Sequence, residues 1–247
     1  MKGEQSMKVI CYLPAGYPSI DRTLEIADLY IEGGCDIIEW SIPPINPYID
    51  PPYIAEKMIE ARNKCGNLNK YLELIRIFKE KHPEKIVCPL LYKETLYEIG
   101  IEKFGIFCKE LKIDTIISAN ITDYDDKEEL LKYGISIAPW VSFAMEDAMI
   151  KEALETKSFI YMQAMLNEED KKAGLDNSTL SKCINKLREI GIENPIYCGV
   201  GIRTIKDALF LKKSGAQGFF LGSSLIKHYD SPSDLINTIK EFKQAVI

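Results

Sequence analysis

Short, almost wholly apolar runs alternate along the chain with longer stretches in which apolar residues recur every three to four positions. The apolar runs fall at 8–13 (KVICYL), 36–42, 86–91, 114–119, 135–140, 158–162, 195–199 and 217–221, and each predicts a strand. Between and after them, helical spacing appears near 20–33, 53–80, 98–111, 126–132, 145–155, 177–191, 204–214 and 232–246. In "TLEIADLYIEGG", Leu24, Ala27 and Ile31 build one apolar side, and Gly33-Gly34 supplies a C-terminal stop. The strands are too uniformly apolar to have a wet face, which implies a parallel sheet covered by helices. Eight βα units in 247 residues predict an α/β fold of the (β/α)8 TIM-barrel type, one domain spanning 1–247. An open doubly wound sheet is the competing architecture. No Pro/Gly/Ser-rich linker, low-complexity tract or charge block divides the chain.

In such a barrel, chemistry sits at the C-terminal ends of the strands and in the loops that follow them. The second strand carries Glu39 near that end, and five prolines (Pro43, Pro44, Pro47, Pro51, Pro52) then surround Asp50. Strand alternation puts Ile37 and Glu39 on one face and Ile38 and Trp40 on the other. The helix layer is the drier side, so Ile38 and Trp40 belong there and Glu39 faces the barrel mouth. Burial raises a carboxyl pKa, as a group that donates and recovers a proton near neutrality requires. Proline rings fix φ around Asp50 and lower the entropy lost when the loop closes on a ligand. A prepositioned aspartate accepts a hydrogen bond from a substrate N–H. The plainer alternatives are an ion-paired core glutamate and an aspartate that merely forms a turn before proline.

Glycines after the seventh and eighth strands mark a second candidate feature. "CGVGIRT" carries Gly199 and Gly201, and "FLGSSLIKH" carries Gly222 and Ser223 at the start of a short helix-like segment. Such loops let backbone N–H groups approach a phosphate. Tyr92, ending the third strand, either faces a substrate or packs under a loop. The acidic run Glu168-Glu169-Asp170 has the pattern of a solvated helix start.

Composition narrows the classes. The chain is 46% hydrophobic and 28% charged, with a net charge of −6 and interspersed signs, unlike the basic stripe of a nucleic-acid binder. No apolar run approaches the roughly 20 residues of a membrane span, and the first residues lack a signal-peptide pattern, so a cytoplasmic location is expected. Seven cysteines form no CxxC pair and the two histidines are far apart, which predicts reduced core thiols and no zinc site. "GVGIRT" lacks the third glycine of a dinucleotide fingerprint.

The segments "YLPAGYPSIDRTLEIADLYIEGGCDIIEWSIP", "PYIDPP", "LLYKETLYEIGIEKF" and "CGVGIRTIKDALFLKKSGAQGFFLGSSLIK", in this order, resemble the tryptophan synthase alpha subunit family over nearly the whole chain. The resemblance implies a carbon–carbon lyase that cleaves indole-3-glycerol phosphate to indole and glyceraldehyde 3-phosphate without a cofactor. It aligns Glu39 with the family's general acid/base and Asp50 with the aspartate that holds the indole nitrogen. Tyr92 aligns with a tyrosine of the indole pocket, and Gly201, Gly222 and Ser223 with phosphate ligands. It also implies a PLP-dependent tryptophan synthase beta subunit as partner. The chain departs from the pattern at Pro51, where the family has glycine, and at Ile45-Asn46-Pro47, in place of "SDP". It departs again at Asn120, in place of aspartate, and at Asn167–Asp170, in place of a "GxTG" lid. A diverged paralogue acting on another phosphorylated or aromatic substrate, or a non-catalytic partner of a beta subunit, is the alternative.

Overall fold

The computed structural model describes residues 6–118 and 120–247. The chain opens with β1 (Lys8–Pro14), α1 (Ile20–Gly33), β2 (Ile37–Ser41), α2 (Pro52–Lys64), α3 (Leu68–Lys81) and β3 (Ile86–Leu90). It continues through α4 (Lys93–Ile99), α5 (Ile101–Glu110), β4 (Thr115–Ile116), α6 (Tyr124–Lys132), β5 (Ser136–Ile137), β6 (Trp140–Val141) and α7 (Asp147–Glu155). The last part holds β7 (Ile160–Gln163), α8 (Glu168–Lys172), α9 (Thr179–Glu189), β8 (Ile196–Gly199), α10 (Ile205–Ser214), β9 (Gly218–Leu221), α11 (Ser223–Ile226) and α12 (Pro232–Ala245).

All ladders are parallel, in the order β3-β2-β1-β9-β8-β7-β6, with β4 beside β5 and a bridge from Leu90 to Ile117 joining β3 to the fourth strand. The predicted strand 135–140 is divided into β5 and β6. Pro139 has no N–H to give to a ladder, while its carbonyl accepts from Tyr161 N at 2.9 Å. The first half of this span therefore pairs with β4 and the second with β7, and together they carry the ring around. Ala119, at the end of the predicted fourth strand, lies outside the described residues.

The helix readings differ from the sequence pattern in two places. The stretch 53–80 is two helices separated around Gly66, where Asn67 caps α3 by accepting from Asn69 N. The stretch 98–111 is preceded by a further helix, α4, and Gly100 at φ 93° separates it from α5. α1 follows its prediction. Ser19 caps its start by accepting from Arg22 N, and Gly34 at φ 97° turns the chain toward β2.

The core has two parts. Inside the ring, Ile10, Ile37, Cys88, Ile117, Tyr197 and Phe220 meet from different strands. Outside, Ile38 and Trp40 pack into the helix layer, with the Trp40 and Phe78 rings 5.6 Å apart. This inside–outside division is the alternation expected for β2. Cys65 is partly exposed, the other cysteines are buried, and all are free thiols. Among the described residues, no helix is long and apolar enough to cross a membrane.

Candidate active site

β2 delivers Glu39 into the ring because its adjacent residues, Ile38 and Trp40, pack outside against the helices. The carboxyl is 3% exposed, and among the described residues it forms no salt bridge and accepts no hydrogen bond. Burial, reinforced by the charge of Asp50, pushes its pKa up to about 8. Near neutral pH the folded protein therefore carries this group mainly as the acid. The plainer reading of an ion-paired core glutamate has no partner to support it.

Asp50 reaches the same cavity from the proline-rich loop. Tyr92 Oη donates to Asp50 Oδ2 at 2.6 Å and accepts from Ile49 N at 3.3 Å, so one phenol fixes both the acid and its backbone. Burial raises the Asp50 pKa and the Tyr92 hydrogen bond opposes that rise. Asn120 braces the loop from the other side. It donates from Nδ2 to Tyr48 Oη and to Glu94 Oε2, while its Oδ1 accepts from Lys93 N. The position that differs from the family's aspartate is thus a clamp between three loops.

The cavity has a volume of about 150 Å³ and is lined by Glu39 and Asp50 together with Tyr12, Ile54, Leu90, Tyr161 and Phe220. Val200, Gly201, Ile202, Gly222 and Ser223 form its opposite side. Of the residues singled out in the sequence, Glu39, Asp50, Gly201, Gly222 and Ser223 line this one space. Tyr92 acts through Asp50. Gly199 lies away from the cavity surface. A Cβ at Gly199 would fall 2.1 Å from Tyr161 Cε2, so its missing side chain accommodates the tyrosine ring rather than an anion. The ring that gains this room stacks on Phe220, with centroids 4.3 Å apart and 16° between planes.

The far wall carries the marks of an anion cradle. Ser223 and Ser224 open α11, so their N–H groups have no acceptor within the helix. Val200 and Gly201 both have positive φ, 71° and 90°. That conformation is a genuine outlier for a β-branched residue, and such strain concentrates at functional sites.

The acidic run is a helix start, as its pattern predicts. Asn167 and Asp170 form a reciprocal capping box, and Gln163 Nε2 donates to Asp170 Oδ2 at 2.7 Å. Gln163 Oε1 accepts from Phe143 N, which ties the loops after the fifth and sixth strands together. The Asp170 carboxylate is thus occupied at the base of its own helix, and Glu168 pairs with Lys171.

The sequence model of the tryptophan synthase alpha chain family matches residues 1–246. This chain belongs to that family. The tryptophan synthase alpha chain of Buchnera aphidicola subsp. Melaphis rhois is 30% identical over 254 aligned positions, covering 96% of this chain and 93% of its own length. That of Methanosarcina acetivorans is 29% identical, covering 92% of this chain and 82% of its own. The crystal structure of tryptophan synthase subunit alpha from Legionella pneumophila superposes with a TM-score of 0.84 at 19% identity. It covers 97% of this chain and 92% of its own, a likeness of fold. Within this alpha-chain family barrel, Tyr12, Ile54, Leu90, Tyr161 and Phe220 line the cavity without having been singled out in the sequence. Tyr12 and Phe220 sit inside runs whose apolar character masks which side chains face inward. Their alternation with Leu13 and Leu221 is the only sequence signal that points them there.

Proposed function

We propose that the protein cleaves indole-3-glycerol phosphate to indole and glyceraldehyde 3-phosphate by a retro-aldol reaction. The observation that carries this reading is the pair of buried acids, Glu39 and Asp50, lining one cavity opposite the Gly201/Gly222/Ser223 wall. Glu39, protonated at neutral pH, gives its proton to indole C3. The resulting cation places positive charge on the ring nitrogen, whose N–H donates to the Asp50 carboxylate. Glu39, now a carboxylate, accepts the proton of the hydroxyl on the adjoining carbon. The bond from C3 to that carbon breaks, its electron pair restores the indole, and the aldehyde forms. One proton moves from hydroxyl to carbon and Glu39 ends as it began, so the cycle closes without another reactant. General acid–base help of this kind contributes about 10²–10⁴-fold.

The phosphate sits against Gly201, Gly222 and Ser223, where free N–H groups at the start of α11 favour an anion. A PLP-dependent beta subunit belongs to the same proposal. Ile45 and Tyr48, exposed by 74% and 58%, crown the loop that carries Asp50, with Ile49 and Tyr53 beside them. An apolar group of this kind beside a site fits a protein partner. A cytoplasmic setting is also part of it, and the free thiols fit a reducing compartment.

The test is direct. Purified protein is incubated with indole-3-glycerol phosphate, alone and with a tryptophan synthase beta subunit, and indole and glyceraldehyde 3-phosphate are assayed. Release of both in equal amounts is expected. Absence of both, with Glu39→Gln no different from the unaltered protein, favours a paralogue with another substrate, a reading prompted by the capped acidic helix α8 where the family has its lid.

A further inference from the structure

One buried hydroxyl in the cavity has no work to do in the folded chain. Tyr12 is 5% exposed and lines the cavity, yet among the described residues its Oη makes no hydrogen bond of regular geometry. Ser41 Oγ, on the neighbouring strand, is in the same condition. Parallel register sets Tyr12 beside Glu39 and Pro14 beside Ser41. Ile10 and Ile37, two residues earlier on the same faces, meet inside the ring, so Tyr12, Glu39 and Ser41 share the inward side of β1 and β2.

The ring has a definite place between the two ends of the cavity. A Cβ built on Gly222 would lie 3.8 Å from Tyr12 Cβ and 3.9 Å from its Cδ1, so the base of the side chain borders the cradle. At the other end, the phenol feels both acids. Burial holds its pKa well above the ordinary range and the charges of Asp50 and Glu39 add to the rise, while the nearby Ser41 hydroxyl, close to Tyr12 Oη but short of regular hydrogen-bond geometry, opposes it. Tyr12 therefore bridges the space from phosphate wall to acid pair, and its hydroxyl remains a donor at every working pH.

We propose that Tyr12 Oη hydrogen-bonds the substrate's chain hydroxyl between the aromatic ring and the phosphate, setting the reacting hydroxyl against Glu39. The assignment deepens the functional reading above and rests on it. A buried hydroxyl left unpaired costs stability, whereas phenylalanine would fill the same volume without that cost. Stability is thus no reason for the oxygen, and a ligand hydroxyl supplies one. Tyr12 Oη and the Glu39 carboxyl then bracket one substrate hydroxyl, the first orienting it and the second accepting its proton.

Tyr12→Phe is the test, with two ligands: indole-3-glycerol phosphate and its analogue in which both chain hydroxyls are replaced by hydrogen. The expected result is a loss of about 10- to 100-fold in kcat/KM for the substrate, the scale of one hydrogen bond to a reacting group. The melting temperature should be equal or higher, because the variant removes an unpaired polar atom. Affinity for the hydroxyl-free analogue, measured by calorimetry, should match that of the unaltered protein. Full kcat/KM in Tyr12→Phe overturns the assignment, as does an equal loss of affinity for the analogue, which would place the contact on ring or phosphate. If the unaltered protein neither binds nor cleaves indole-3-glycerol phosphate, the functional reading fails and takes this assignment with it. The first two outcomes leave that reading intact.

Discussion

A carboxyl buried without a partner has opposite effects on folding and on chemistry, and Glu39 carries both. Its pKa in the fold is about 8, against an ordinary 4.5, so the folded state holds the proton more tightly than the unfolded chain does. The stability contributed by the neutral acid is complete below about pH 4.5 and is lost as pH rises through 8. Glu39→Gln stays neutral throughout, so it should match the unaltered protein near pH 4.5 and exceed it at pH 9 by an amount on the order of a few kcal/mol. Urea unfolding at both pH values measures the difference, and equal stability at pH 9 would contradict the buried ionisation. The same variant should lose about 10²–10⁴-fold in kcat. Because the proposed cycle begins with the acid form, kcat/KM of the unaltered protein should fall as pH rises past about 8. Asp50 must be charged, so an acid limb should lie above the usual aspartate range. Tyr92→Phe removes the bond that lowers the Asp50 pKa and should move that limb to higher pH, read from a pH–rate profile. Both acids were legible in the sequence because each breaks a local rule, one in an apolar strand and the other amid prolines. Tyr12 and the steric duty of Gly199 were not. A tyrosine in an apolar run breaks no rule, and a glycine spared for a ring from another strand looks like any turn glycine.

At the level of elements, the regular strands were readable wherever burial on both faces made them uniformly apolar. The fifth was misread as continuous because Pro139 interrupts hydrogen bonding without interrupting hydrophobicity. Helix ends were set by residues the periodicity does not weigh: Asn67 at the start of α3, and Gly100 between α4 and α5. The packing of β8 against β7 gives a prediction. Gly199→Ala would drive a methyl into Tyr161 and disturb its stack on Phe220. It should cost more than about 1–3 kcal/mol, the usual range for overpacking a core, and blunt activity although position 199 is off the cavity surface. α8 offers a second. Asn167→Ala removes half of the capping box and should cost about 1 kcal/mol locally, seen as faster protease cleavage within 166–174 at an unchanged global melting temperature. Unchanged cleavage would mean that the Gln163 bond to Asp170 suffices to hold the segment.

Taken whole, the molecule is a ring with one decorated end. The loops after β2, β3 and the fourth strand are locked together through Asp50–Tyr92, Asn120–Tyr48 and Asn120–Glu94, and the Lys93–Asp123 ion pair adds to this. The exposed Ile45 stands on that locked platform, so the proposed beta subunit would meet it already ordered. Ile45→Asp should leave the isolated chain's lyase turnover unchanged and abolish co-elution with a beta subunit. Retained co-elution would move the docking surface elsewhere. The pairing of β1 with β9 has a consequence of its own. A ribosome, working from the amino end, delivers both acids long before it delivers β8 and β9. Each nascent molecule thus carries its acid pair long before it owns the opposite wall, where the proposed phosphate site lies. The cavity is whole only once β9 has paired with β1.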